Sequence, residues 1–150
     1  MPNNFAFNMV AQDMKTLIYG LNGTTPVAIA VDAQGNLDIG VSFTSSNTTV
    51  GSIAAGDTGT TLVLNSSEKS LYSYYVKNTS TDATIRVKLQ VSPTTTASYY
   101  TDDTPTFVDI ACGAAAVIIP KYYLAYTRLY YQNIDATYDA TFVAYYDARQ

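Results

Sequence analysis

The sequence contains no histidine, no tryptophan and a single cysteine, Cys112, among its 150 residues. Histidine is the usual general base, metal ligand and pH switch near neutrality, so its absence removes serine–histidine triads and the commonest acid–base sites. One cysteine excludes a disulfide scaffold within the chain, and we expect Cys112 to be a small buried hydrophobe. We therefore expect no catalytic, cofactor-binding or metal-binding residues, and no enzyme.

Charge is also scarce, since Asp, Glu, Lys and Arg make up only 13% of the chain and leave a net charge of −4. Nucleic-acid binding needs clustered Lys and Arg, and the sequence has no basic patch, so no nucleic-acid partner is expected. No apolar run approaches transmembrane length. The N-terminal segment MPNNFAFNMVAQDMK has neither a basic region nor a continuous apolar core. We therefore expect no secretory signal and no membrane insertion.

Two acidic motifs invite a chemical interpretation, and both are weak. Asp102 and Asp103 are adjacent in the turn TDDTP, where two carboxylates could bind Ca²⁺, although a solvated turn explains them more simply. Gly56–Gly59 contains one Asp-Thr-Gly triplet of the aspartic-protease type, in a stretch of low complexity. Neither motif predicts a catalytic or small-molecule site.

Tyrosine is the most unusual component, with 14 residues, ten of which form five doublets. Neighbouring residues of a β-strand point to opposite faces, so a doublet in a strand places one ring inward and one outward. The outward rings either lie across their own sheet or are buried between subunits. Both interpretations are compatible with the composition.

The densest apolar and aromatic stretch is Val117–Asn133, which Pro120 divides at a strand boundary. Beyond the proline, an extended strand places Tyr126, Arg128 and Tyr130 on one face. Tyrosine and arginine are enriched at protein–protein contacts. We therefore predict that these three residues form a lateral contact between subunits.

A second strand pattern lies near the N-terminus, where Phe5, Phe7 and Met9 alternate with polar or small residues over Asn4–Val10. No turn connects this segment to a partner strand. It either folds onto its own domain or adds to the sheet of a neighbouring subunit. We predict strand addition between subunits through Phe5, Phe7 and Met9.

The remaining chain predicts an all-β protein without a helix. Val27–Val31 and Leu37–Phe43 form a predicted hairpin around a Gly-containing loop, and the small, polar stretch 44–60 is predicted to be a linker. Strands then follow at the spacing of a sandwich, at Thr61–Asn65, Leu71–Lys77, Ala83–Val91, Thr106–Cys112, Ala114–Ile119, Leu124–Asn133 and Thr141–Tyr146. The predicted organisation is a connector strand at 1–15, a hairpin arm and linker at 16–60, and an antiparallel, jelly-roll-like β-sandwich at 61–150.

Several stretches together resemble a known family: VAIAVDAQGNLDI, SLYSYYVKN, VKLQVSP and TFVDIACGAAAVIIPKYYLAYTRLYYQN. They are similar to an uncharacterised β-sandwich domain family of endospore-forming bacteria. More loosely, a free N-terminal strand before a jelly-roll-like domain resembles the plan of endospore-appendage pilins, in which a connector docks into neighbouring subunits. Those pilins use several cysteines for intersubunit disulfides. With only Cys112, this resemblance implies assembly through strand addition and aromatic packing.

These features favour a structural subunit that polymerises with copies of itself into an extracellular or cell- or spore-surface filament. Two other classes stay open: a surface carbohydrate-binding module or adhesin, and a capsid, tail or spore-coat component. A binding module would be monomeric with a concave aromatic face, whereas a coat component would form closed or templated assemblies.

Overall fold

The computed structural model describes residues 19–22, 25–28 and 43–150. The chain divides into two compact units, Met1–Gly40 and Val41–Gln150. In the first unit, β1 (Tyr19–Asn22) and β2 (Thr25–Ala28) pair as an antiparallel hairpin with Asn22 opposite Thr25. Most of the predicted hairpin between Val27 and Phe43 lies outside the described residues.

The second unit is built from short strands and one 3-10 turn at Ala97–Tyr99. Its strands are β3 (Phe43–Ile53), β4 (Thr58–Thr60), β5 (Leu64–Asn65), β6 (Leu71–Asn78), β7 (Ile85–Ser92), β8 (Thr101–Asp102), β9 (Val108–Ile110), β10 (Ala115–Ile118), β11 (Tyr126–Asn133) and β12 (Ala140–Arg149).

These strands form two antiparallel sheets that pack face to face. The four-stranded sheet has the order β10-β6-β12-β3. The six-stranded sheet is centred on the pair β11–β7, with β4 and β5 beside β11 and with β8 and β9 beside β7. The antiparallel β-sandwich predicted from the sequence is therefore confirmed.

Alternation of apolar and polar residues explains how each sheet buries one face. In β7, the side chains of Ile85, Val87, Leu89 and Val91 are fully buried, as their period-two spacing predicts. The two sheets meet in the core where the ring of Tyr131 in β11 packs edge-on against Phe142 in β12, with the ring centroids 5.1 Å apart.

The segment 44–60, predicted to be a linker, instead contains most of β3 and all of β4. The compact unit begins at Val41, so this segment belongs to the sandwich. The prediction was wrong because β3 lies at the edge of its sheet, where it pairs with β12 and exposes Ser, Asn and Thr side chains to water. An edge strand of this kind has the composition of a linker, and only pairing distinguishes the two.

Cys112 is exposed rather than buried. It lies in the turn between β9 and β10, where the Ala114 N–H donates to the Ala111 carbonyl and Gly113 adopts a φ of +67°. Glycine at the third position of such a turn tolerates positive φ without strain. The sequence prediction failed because the strand Thr106–Cys112 ends earlier than its composition indicates.

A close approach between Gly59 and Tyr131 yields a first prediction. The two residues lie opposite each other in the β4–β11 pair, and a Cβ at residue 59 would lie 2.6 Å from the ring carbon Cζ of Tyr131. Because that ring also packs on Phe142, we expect Gly59→Ala to lower the free energy of unfolding by about 1–3 kcal/mol. Urea unfolding measures this. Gly51→Ala is the control, because a Cβ there meets nothing within 4 Å; equal losses in both variants would contradict the prediction.

Candidate functional site

The predicted lateral contact lies on the outer face of the six-stranded sheet. Tyr126, Arg128 and Tyr130 are half-buried and point to this face, while Thr127 and Leu129 between them are fully buried. The alternation predicted for this strand is therefore confirmed. The role of the three residues as a subunit contact stays a prediction.

Arg128 is held by neighbours within its own chain. Its guanidinium carbon lies 3.8 Å from the ring centroid of Tyr100, and its Nε donates to the Gln90 side-chain oxygen at 2.9 Å. The Gln90 amide in turn donates to Asp102 Oδ1 at 3.0 Å. Arg128, Gln90 and Asp102 lie directly opposite one another on β11, β7 and β8, so strand register assembles this chain of contacts.

Tyr130 belongs to a second group, centred on Lys88. The Lys88 ammonium lies 5.1 Å from the Tyr130 ring centroid and 4.6 Å from that of Phe107. It also donates to Asp102 Oδ2 at 2.6 Å. Burial opposes ionisation of Asp102, but the hydrogen bonds from Lys88 and Gln90 and the Lys88 charge outweigh it and lower the pKa of the carboxyl group.

A third pair completes this face, because Arg86 Nε donates to Asp109 Oδ1 at 3.1 Å. Arg86 also lies over the Phe107 ring, 5.2 Å from its centroid. Each such contact stabilises the fold by about 1 kcal/mol or less at an exposed site. On this face Arg86, Lys88 and Arg128 therefore contact carboxylate, amide or aromatic groups of the same chain.

Asp103 does not lie in the solvated turn that the sequence favours. Its carboxylate is buried and accepts hydrogen bonds from the backbone N–H groups of Lys121 and Tyr122 at 2.7–3.0 Å. This fixes the chain just after Pro120, before it enters β11. The carboxylates of Asp102 and Asp103 thus bind different partners within the chain.

The outer face of the four-stranded sheet is the surface that sequence analysis did not single out. Two of the tyrosine doublets follow the predicted alternation, with Tyr74 and Tyr146 buried and Tyr75 and Tyr145 exposed. The rings of Tyr75 and Tyr145 are 6.1 Å apart. The tyrosine doublets indicated that a strand face carries outward rings. Which tyrosines lie opposite each other on neighbouring strands could not be predicted from one sequence.

At one end of this sheet lies a cavity of about 300 Å³. Four of its lining side chains are large, apolar and exposed: Phe43, Leu71, Ile119 and Tyr123. Apolar side chains gathered in this way, rather than scattered singly, are typical of an interaction surface.

On the side that is unpaired among the described residues, β3 borders a small cavity of about 10 Å³, here called the flank groove. It lies between β3 and the segment of β4 and β5, and Ser46, Thr48, Leu62, Leu64 and Tyr146 are among its lining residues. Leu62 is 71% exposed there. On its other side β3 pairs only with β12 in the part of the chain that the structure describes.

Phe5, Phe7 and Met9, the predicted strand-addition residues, lie outside the described residues. Within the described ranges, no helix has the length and hydropathy needed to cross a bilayer.

Comparison with known proteins gives a family and two distant structural likenesses. PirA matches with a TM-score of 0.45 and 14% identity, over 68% of this chain and 91% of that chain. A chain of the Bacillus endospore appendages, described as a family of disulfide-linked pili, matches with a TM-score of 0.44 and 14% identity, over 79% of this chain and 95% of that chain. No curated protein sequence matches. Residues 65–150, which carry β6 to β12, match the family described as a domain of unknown function, DUF6385, and the chain belongs to that family.

Proposed function

We propose that this chain is a structural subunit that assembles with copies of itself into a filament outside the cell or on a cell or spore surface. In this proposal the N-terminal segment Asn4–Val10 of one copy adds as a strand to the β3 edge of the next, which is unpaired among the described residues. The chain acts through its surfaces and performs no catalysis. The observation that carries the proposal is that this long edge strand contains no charged residue and no proline.

β3 is an eleven-residue edge strand, FTSSNTTVGSI, without a charged residue or a proline. Natural sheets protect exposed edges with lysine, proline, bulges or covering loops, because unpaired N–H and C=O groups invite another strand. The one register shift in the β3–β12 pair lies near Ile53, between Ala140 and Phe142, and leaves Phe43–Val50 in regular register. An edge of this length with so little protection suits strand addition.

The N-terminal segment fits this edge in length and pattern. As an extended strand, the seven residues Asn4–Val10 would span about 23 Å at roughly 3.3 Å per residue, within the roughly 36 Å that eleven residues of β3 span. A strand added to β3 directs every second side chain toward the flank groove. Phe5, Phe7 and Met9 would then cover Leu62 and Leu64, while Asn4 and Asn8 would face water.

Burial of three such side chains is worth roughly 5–8 kcal/mol before the costs of association, at about 1.5–3 kcal/mol each.

The contact is heterologous, since an arm on one copy meets an edge on another. A heterologous contact whose rotation does not close produces an open helical fibre. This favours a filament over a closed shell and over a monomeric binding module.

Negative-stain microscopy of the full chain tests this proposal with two variants. The arm variant, Phe5→Ser with Phe7→Ser and Met9→Ser, removes the apolar face of the donor strand. Leu62→Glu places a carboxylate in the acceptor groove at a residue exposed enough to tolerate it. We expect fibres from the parent chain and none from either variant.

The controls change comparable residues elsewhere. Asn4→Ser with Asn8→Ser alters the opposite face of the arm, and Val108→Glu adds a carboxylate on β9, beside β7 in the other sheet. Both are expected to leave fibres intact. Fibres that persist in the arm variant would refute strand addition, and a parent chain that stays monomeric would refute the filament.

A further inference from the structure

The outer face of the four-stranded sheet carries a row of one valine and two tyrosines, here called the aromatic row. Val117, Tyr75 and Tyr145 lie directly opposite one another on β10, β6 and β12. Their exposed fractions are 61%, 41% and 40%, although all three are large apolar or aromatic side chains. A contiguous row of this kind on a regular sheet face is typical of a surface that packs against another protein.

Charges of opposite sign lie on either side of the aromatic row. Two residues beyond the aromatic row in one direction along the strands, Lys77 of β6 lies opposite Val143. Two residues beyond it in the other direction, Asp147 of β12 lies opposite Ser73. Lys77 donates one hydrogen bond to the Gly113 carbonyl, which leaves two of its three ammonium hydrogens available. Asp147 forms no ion pair or side-chain hydrogen bond within the described part of the chain.

We infer that this face binds a second copy of the same chain, related by a twofold axis that runs along the aromatic row in the plane of contact. Rotation about this axis turns the second copy over and reverses the order of the rows. The Lys77 side of each copy then lies against the Asp147 side of the other, and the aromatic row lies against itself. Sheets packed face to face commonly cross at about 30°, which a small tilt of the axis provides.

Charge complementarity selects a second copy over other partners. The pattern of cation, aromatic row and anion is its own complement under this rotation, as an isologous contact requires. The next charge, Arg149, lies in the row of Leu71 and Phe43. The same rotation places it opposite Thr79 and Thr141, which are uncharged, so like charges do not meet.

This contact is separate from strand addition, since it uses neither the arm, the free side of β3 nor the flank groove. In a filament it joins subunits laterally. Without a filament it still gives a dimer, so the two ideas fail independently.

Sedimentation velocity of the full chain, in the background of the arm variant, isolates this contact. We expect the parent of this series to dimerise and both Lys77→Asp and Asp147→Lys to weaken dimerisation by at least about tenfold, because each brings like charges together at two places. An equimolar mixture of the two charge variants restores a dimer, since each variant then meets the opposite charge on its partner. Tyr145→Ser weakens the dimer as well.

Tyr99→Ser is the matched control, because it truncates an exposed tyrosine of the turn between β7 and β8, in the other sheet, and is expected to leave the dimer unchanged. Restoration in the mixture depends on the twofold pairing and not on the stability of either variant. A monomeric parent, single charge variants that dimerise like the parent, or a mixture that stays monomeric would each overturn the inference.

Discussion

Replacement of Asn133 by alanine is expected to lower the free energy of unfolding by about 3–4 kcal/mol, a large loss for a single domain of this size. Asn133 is fully buried at the end of β11. Its amide donates to the carbonyls of Ile53, Ala54 and Tyr138 at 3.0, 3.2 and 2.8 Å, and its side-chain oxygen accepts from the Asp135 N–H at 3.0 Å. Alanine leaves these carbonyls without this donor, and each unsatisfied buried group costs about 1–3 kcal/mol.

Asn78 has the corresponding role at the end of β6. Its amide donates to the carbonyls of Ala83 and Ile110 at 2.9 Å each, and its side-chain oxygen accepts from the Ser80 N–H at 2.9 Å. Asn78→Ala is therefore expected to cost about 2–3 kcal/mol by the same reasoning. The two asparagines hold together the turns that leave the central strands of both sheets.

Urea unfolding of the two alanine variants beside Asn47→Ala measures these losses. Asn47 lies on the exposed edge strand β3, so its replacement is expected to change the free energy of unfolding by less than about 0.5 kcal/mol. Midpoints for Asn133→Ala that match those of Asn47→Ala would show that water replaces the lost amide, and would contradict the prediction.

The sequence predicted the central strands well because their residues obey one simple constraint. The side chains of Ile85, Val87 and Leu89 all point into the core, while those between them point to the solvent-facing side of the sheet. Period-two alternation therefore identifies β7 without further information. β3 failed the same test, because an edge strand with few apolar residues leaves little hydrophobic signal. Local pattern therefore predicts the middle of a sheet better than its edge.

The candidate surfaces divide in a similar way. The direction of Tyr126, Arg128 and Tyr130 could be predicted from strand geometry alone. Their contacts could not, because Tyr100 and Phe107 come from irregular segments outside β11 whose position depends on the whole fold. The row formed by Tyr75 and Tyr145 required the register between β6 and β12, which a single sequence does not contain.

The second large predicted effect is a dependence of the free energy of unfolding on pH, and it arises from buried tyrosines. Burial raises the pKa of Tyr146 to about 12, with a further contribution from neighbouring Tyr72. Burial also raises the pKa of Tyr72 and Tyr74, although the nearby Thr127 side chain offsets part of each shift. The rings of Tyr74 and Tyr146 pack with centroids 5.3 Å apart inside the sandwich. An ionised phenol there would lose its hydration in an apolar site.

The direction of the pH dependence follows from proton binding. An exposed tyrosine in the unfolded chain loses its proton near pH 10, whereas the buried phenols keep theirs. Above that pH the unfolded state binds fewer protons than the folded state, so stability is full below about pH 10 and falls as the pH rises. Each of the three tyrosines contributes up to about 1.4 kcal/mol per pH unit in that range, so we expect cooperative alkaline unfolding accompanied by a rise in tyrosinate absorbance.

Two neighbouring residues provide the decisive comparison. Tyr74 is buried, and its hydroxyl group has no hydrogen-bond partner within normal distance among the described residues, whereas Tyr75 on the same strand is exposed. Tyr74→Phe removes a buried ionisable group and no hydrogen bond, so it is expected to leave stability at neutral pH almost unchanged and to move the alkaline unfolding midpoint upward. Tyr75→Phe leaves that midpoint unchanged. Equal midpoints for the two variants, or tyrosinate absorbance from the core before unfolding, would mean that water reaches these hydroxyls and that their burial does not control alkaline stability.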